Sequence, residues 1–108
     1  MNAPVKTVAV CGAGGTMGAG IALVSARAGF RTICYDVARE GLDRSRVQAT
    51  GFFSKSVERG RMTEEARTQA LKCLVPTVDL ADIADADLVI EAVYEDLGVK
   101  RDLLRQLN

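Results

Sequence analysis

An α/β fold built on a parallel sheet is what this sequence predicts, and three observations carry the prediction. Short β-rich runs alternate with longer amphipathic runs along the whole chain. The run Val5 to Cys11 is apolar at nearly every position and ends in glycines, the pattern of a strand buried on both faces. Strands separated by helices pair in parallel through right-handed crossovers. The expected result is a three-layer sandwich with strand order 3-2-1-4, truncated after the fourth strand and its helix.

The elements follow in order. After Val5 to Cys11, the segment Thr16 to Gly29 carries Met17, Ile21, Leu23, Val24 and Ala28 at roughly helical spacing. Gly29 stands where a helix C-cap glycine belongs. Arg31 to Tyr35 is the second strand and ends at Asp36. Arg39 to Arg59 reads as a long amphipathic helix with Leu42, Val47, Phe52, Phe53 and Val57 as its apolar stripe, stopped by Gly60. Thr63 is an N-cap type, and Glu64 and Glu65 after it suit the positive end of a helix dipole. Leu74 to Val78 is a short strand; Pro76 cannot donate to a ladder, which predicts a sheet edge. Asp79 to Ala84 is expected to make one helical turn, Asp87 to Val93 the last strand, and Gly98 to Leu107 a final helix.

Composition narrows the function classes. The 108 residues are expected to form one domain, 1–108. Fourteen basic and fourteen acidic residues balance to zero net charge, which argues against nucleic acid and against an anionic membrane surface. Cys11, Cys34 and Cys73 are odd in number, and two lie in apolar strand runs. They read as buried free thiols in a reducing compartment, and the expected location is cytoplasmic. With no histidine and no C-x-x-C pair, no metal site is expected. Lys6 followed by Thr7 to Ala26 is too rich in glycine for a signal peptide, and its apolar runs are too short for a membrane span.

The chemistry is concentrated between the first strand and the first helix, from Gly12 through Ala13, Gly14, Gly15, Thr16, Met17, Gly18 and Ala19 to Gly20. Gly12 can make the tight turn out of the strand. Gly14 or Gly15 lets a pyrophosphate approach the backbone, and Gly18 or Gly20 lets the helix pack close to the sheet. The helix N-terminus then offers N–H groups and a positive dipole end to phosphates. Asp36 ends the second strand eighteen residues after Gly18, near the separation at which a carboxylate takes the ribose hydroxyls of a dinucleotide. Such a carboxylate repels a 2′-phosphate and favours NAD over NADP, while Arg39 nearby pulls the other way. The competing readings are a ligand-free surface loop, a solvated carboxylate, and a methyltransferase site for S-adenosylmethionine. A P-loop is excluded, because no Lys-Ser or Lys-Thr follows the glycines.

Thr16, Met17, Gly18, Ala19, Gly20, Ile21 and Ala22, with Gly14 and Gly15 before them, resemble the phosphate-binding turn of 3-hydroxyacyl-CoA dehydrogenases. The resemblance runs through Asp36 and resumes in Asp87, Leu88, Val89, Ile90, Glu91, Ala92 and Val93, then Glu95 and Lys100. Gly60 to Glu65 also looks like bacterial members. The resemblance implies a Rossmann-type NAD-binding domain. It implies that Asp36 binds the adenosine ribose, that Ala92 and Val93 lie along the cofactor, and that Glu95 and Lys100 contact it near the nicotinamide. From the residues alone, Glu95 and Lys100 also read as a solvated charge pair. Arg59, with Arg61 beside it, lies near a family position that meets the phosphates of an acyl-CoA substrate. Phe52 stands where some members have serine, and a solvated basic helix end is the better reading of Arg59.

Two departures are plain. The family pattern is G-x-G-x-x-G, whereas Gly12, Gly14 and Gly18 have one residue more before the last glycine. The family's catalytic histidine, the glutamate that assists it, and the serine and asparagine that hold substrate would all follow residue 108. Two functions are therefore expected as alternatives. In the first, the chain is the NAD-binding part of an NAD-dependent 3-hydroxyacyl-CoA dehydrogenase of fatty-acid β-oxidation, inactive alone because it lacks the catalytic base. In the second, it is a complete non-catalytic module that binds NAD or serves as an assembly surface. An ending at Asn108, just after an amphipathic helix, favours the first. Either way, an open apolar edge on the fourth strand predicts a homo-oligomer.

Overall fold

The computed structural model describes residues 5–92. Four strands, β1 (Thr7–Cys11), β2 (Arg31–Tyr35), β3 (Leu74–Thr77) and β4 (Leu88–Glu91), form one sheet in the order β3-β2-β1-β4. All three pairings are parallel. The connecting elements are α1 (Thr16–Arg27), α2 (Arg39–Glu58), α3 (Glu64–Cys73) and a 3-10 segment, Leu80–Asp85. The expected sheet order and the edge position of Pro76 are both present.

The topology explains the layers. From β1 to β2 to β3 the chain steps one way across the sheet, so right-handed crossovers put α1, α2 and α3 on one face. There Val8, Val10, Cys34 and Leu74 of the strands meet Ala22, Ala26, Leu42, Ala49, Phe53 and Ala70. From β3 to β4 the chain returns past β2 and β1, so that connection crosses the other face. Ile83 of the 3-10 segment is buried there against Ala9, Cys11, Ile33 and Tyr35. The reversal lies between β1 and β4, which is the topological switch point of such a sheet.

Local chemistry ends each element. Gly29 has φ +96°, the Phe30 N–H donates to Ser25 O at 3.2 Å, and the Gly29 N–H donates to Ala26 O at 3.0 Å. This is a Schellman end to α1, and α2 closes in the same way at Gly60. Thr63 caps α3 by accepting the Ala66 N–H at 3.0 Å. Arg46 of α2 donates to Leu71 O at 2.9 Å, placing a cation on the C-terminal carbonyls of α3. The buried Thr32 hydroxyl donates to Phe30 O at 2.9 Å, which leaves the Ser25 hydroxyl as the donor in their mutual contact.

Several boundaries differ from the sequence reading. β1 begins at Thr7 rather than Val5, and β3 ends at Thr77. The last strand begins at Leu88; just before it, the Asp87 N–H donates to Thr7 O at 2.8 Å and the Asp87 carboxylate accepts the Lys6 and Thr7 N–H groups at 2.9 Å each. The expected continuation to Val93 and the helix Gly98 to Leu107 lie outside the described residues. Two apolar stripes also require correction. On α1 the buried residues are Gly18, Ala22 and Ala26, while Met17 and Val24 are 55% and 66% exposed. On α2 Leu42, Ala49 and Phe53 face the core, while Val47 and Phe52 point outward. On α1, close helix–sheet contact selects small residues over merely apolar ones.

Candidate functional site

The register aligns Cys11, Tyr35, Thr77 and Glu91 at the carboxyl ends of the four strands. Everything that turns away from this edge is candidate site. Gly12 leaves β1 with φ +85°, a conformation that side chains resist. The N–H groups of Gly12 and Ala13 both donate to the Tyr35 carbonyl at 2.9 Å, so β2 anchors the turn. Ala13 is fully buried and fixes the turn to the core. The Gly15 N–H folds back onto Gly12 O at 3.1 Å.

Gly15 is the N-cap of α1 and has no side chain to cap it, and the first turn carries no acidic residue. Helix geometry leaves the amides of Thr16, Met17 and Gly18 without intrahelical acceptors. This is the arrangement that receives an anion at a positive dipole end. Thr16 and Met17 are exposed there.

The structure separates the glycines that the sequence left paired. A Cβ on Gly18 would lie 2.1 Å from Gly12 O, whereas one on Gly20 would meet nothing within 4 Å. Gly18 is therefore the close-packing glycine. A Cβ on Gly14 would lie 2.8 Å from Asp36 Oδ2 and 3.0 Å from the backbone of Gly41, whereas one on Gly15 would make an ordinary 3.5 Å contact. Gly14 is the crowded member of its pair.

Asp36 reaches the turn directly. Its Oδ2 accepts the Gly14 N–H at 2.8 Å, its Oδ1 accepts the Ala38 N–H at 3.1 Å, and the group is half-buried. Ala92 closes the other side: it is buried, and its N–H donates to Cys11 O at 2.8 Å, next to Gly12. Gly12, Gly14, Gly15, Thr16, Met17, Gly18, Asp36 and Ala92 thus gather at one edge. Val93, Glu95 and Lys100 lie outside the described residues. Arg59 is not brought to this edge. It is exposed at the far end of the twenty-residue α2, whose first turn follows Asp36; the helix carries it about 30 Å away.

No nucleophile stands at the turn. Cys11 is fully buried. Burial, and then the nearby Glu91 carboxylate, push its thiol up to about 11. Burial pushes Cys34 to about 11 as well. Both stay protonated near neutral pH and are inert packing thiols. Among the described residues no three His, Cys, Asp or Glu side chains cluster to hold a metal ion. None of the described helices is long and apolar enough to cross a membrane.

Two participants escape the sequence reading. One is the Tyr35 carbonyl, a backbone group that residue identity does not advertise. The other is Gly41 in the first turn of α2, against which Gly14 packs. A signal existed, because glycine within a helix costs up to about 1 kcal/mol relative to alanine and so calls for a reason. As a whole, the edge offers free amides for a phosphate and a carboxylate for a diol, and its glycines leave a cradle that side chains would fill.

Comparison with known proteins agrees with this geometry. The family model described as 3-hydroxyacyl-CoA dehydrogenase, NAD binding domain, matches residues 7–108. The chain is 46% identical over 103 residues to the 3-hydroxyadipyl-CoA dehydrogenase of Escherichia coli K12, covering 95% of this chain and 22% of that protein. It is 42% identical over 107 residues to a 3-hydroxybutyryl-CoA dehydrogenase of Bradyrhizobium diazoefficiens, covering 99% of this chain and 36% of that one. A crystal structure of 3-hydroxybutyryl-CoA dehydrogenase from Escherichia coli K12 superposes with a TM-score of 0.91 at 45% identity, over 97% of this chain and 22% of the other. The chain therefore spans between about a fifth and a little over a third of the length of these relatives.

Proposed function

The chain belongs to the family of NAD-binding domains of 3-hydroxyacyl-CoA dehydrogenases, and from that premise we propose that it holds NAD for the oxidation of a 3-hydroxyacyl-CoA to its 3-oxoacyl form. The observation that carries the proposal is the uncapped start of α1 beside the Asp36 carboxylate, with Gly14 within 2.8 Å of it. Bound NAD supplies the hydride acceptor at its nicotinamide ring. The chain's own residues supply position. The amides of Thr16, Met17 and Gly18 receive the pyrophosphate, Asp36 takes the adenosine ribose, and Ala92 lies along the cofactor beside Gly12. Val93, Glu95 and Lys100 extend the same contact in this proposal.

The hydroxyl proton needs a base, and this sequence contains no histidine. The proposal gives the chain the cofactor-holding role and assigns the proton-accepting role to none of its residues. An acyl-CoA substrate, fatty-acid metabolism and a cytoplasmic setting belong to the same reading, the last supported by three free cysteines. Arg59 as a substrate contact belongs to the same reading, a helix length of about 30 Å from the turn. Self-association through β4 is a second component. Leu88 and Val89 are 45% and 39% exposed there, an apolar edge of the kind that pairs with another chain. A strictly monomeric chain by light scattering at high concentration would count against it.

Titration with NADH and then NADPH, followed by nicotinamide fluorescence, tests the cofactor assignment. Tight NADH and weak NADPH binding is expected, with Asp36→Ala weakening NADH by about tenfold or more, the scale of a lost hydrogen bond to a charged group. Equal affinities of the parent and Asp36→Ala chains would remove Asp36 from the ribose site. A folded chain that binds neither nucleotide would end the proposal.

A further inference from the structure

The turn contains one residue more than the G-x-G-x-x-G pattern, and the structure shows what that residue does. Gly14 packs against Gly41 at the start of α2. Its N–H donates to Asp36 Oδ2 at 2.8 Å. A Cβ on Gly41 would lie 3.2 Å from both Cα and O of Gly14, so two glycine backbones cross with nothing between them. The other carboxylate oxygen accepts the Ala38 N–H at 3.1 Å. Each oxygen of the one side chain suited to a ribose diol therefore already accepts one backbone amide, which takes about half of its acceptor capacity.

We propose that Gly14 is an affinity-determining residue of the nucleotide site: seated on Asp36 Oδ2, it competes with the adenosine ribose for that oxygen, and the nucleotide binds most tightly once Gly14 is lifted away. This rests on Asp36 being the ribose ligand. The physical basis is the strength of an amide bond to an ionised carboxylate, which exceeds that of a neutral pair. A site whose competent form is only partly populated binds more weakly by that fraction. The crossing at Gly41 adds to the closed form, since the contact is backbone on backbone. The start of α1 lies outside this lock, so the competition acts on the adenosine half of the ligand and not on the nicotinamide half.

The test compares three chains: the 108-residue parent, the parent with Gly14 deleted, and Gly14→Ala. Deletion leaves Gly12, Ala13, Gly15, Thr16, Met17 and Gly18, which restores the shorter pattern. The alanine keeps the length but drives a methyl group to 2.8 Å from Asp36 Oδ2 and 3.0 Å from the Gly41 backbone, which unseats the turn. Each chain is titrated with NADH, with ADP-ribose, and with reduced nicotinamide mononucleotide, which lacks the adenosine ribose. Both variants should bind NADH and ADP-ribose about tenfold tighter than the parent, with the mononucleotide unchanged. Equal or weaker NADH and ADP-ribose binding by folded variants overturns the proposal while leaving the NAD assignment intact. Failure of every chain to bind NADH overturns the NAD assignment, and this proposal with it. If neither variant folds, hydrogen exchange on the parent decides. The Gly14 amide should be protected in the free chain and lose that protection when ADP-ribose saturates it; unchanged protection overturns the proposal.

Discussion

In the turn between β1 and α1, backbone meets backbone; along the outer face of α2, side chains meet water. Both regions contain glycine, yet the residue has opposite meanings in them. A methyl group on Gly18 would collide with Gly12 O at 2.1 Å, whereas one on Gly51 would meet nothing within 4 Å. The turn is also where polar groups are brought together, with the Tyr35 carbonyl and the Asp36 carboxylate accepting three successive amides. On α2, Val47 is 72% exposed. The difference teaches that a glycine marks function only where something approaches it closely.

One pair of substitutions breaks or sharpens this contrast most strongly. Gly18→Ala should destabilise the chain by about 3 kcal/mol or more, the upper end of overpacking costs, because the obstacle is a fixed carbonyl rather than a flexible side chain. Chemical denaturation should show a transition shifted far to low denaturant, or none; a parental midpoint would mean that α1 slides freely away from the turn. The same change at Gly51 should stabilise by about 0.5–1 kcal/mol, since a helix-interior glycine is replaced in open space. A small rise in melting temperature would record it, and a fall would reveal a contact that the geometry lacks.

The smallest effect is expected at the opposite edge of the sheet. Asp87 accepts the Lys6 and Thr7 amides. Those two hydrogen bonds hold its carboxyl below its ordinary value of 3.8. A depressed folded-state pKa contributes stability that is present above the unfolded value and is lost as pH falls through the folded one. Asp87→Ala should therefore lower the melting temperature slightly near neutral pH, with the deficit shrinking as pH drops below about 4. The group is fully exposed, so solvent screens the contribution. A deficit independent of pH would assign the effect to the lost hydrogen bonds' geometry rather than to charge.

Much of this was legible in the sequence. Alternating strand and helix runs implied parallel pairing, the glycine turn pointed to the doubly wound arrangement whose order is 3-2-1-4, and Pro76 marked its edge. Asp36 was legible because its distance from Gly18 and its place after an apolar strand are both linear features. The buried face of α1 was not, and that of α2 only in part, through Leu42 and Phe53. Hydrophobic periodicity weighs Met17 and Val24 above Gly18, Ala22 and Ala26, yet the face pressed against the sheet is chosen by size. Gly14 and Gly15, or Gly18 and Gly20, could not be ranked from composition, because what distinguishes them is the neighbour each one meets.

The sequence by itself determined the layers, the position of the turn and the identity of its carboxylate, since each follows from periodicity, handedness or spacing along one stretch of chain; the strand order followed from the topology that such a turn implies. Tertiary structure alone decided that Gly14 lies on Asp36 and against Gly41, that Tyr35 O anchors the turn, and that Arg59 stands a helix length away. Those facts depend on the register that sets Cys11 beside Tyr35, and on how α2 leaves that pair. Such contacts join residues more than twenty positions apart, mostly through backbone atoms that every residue shares, so apart from the helical Gly41 residue identity carries little trace of them.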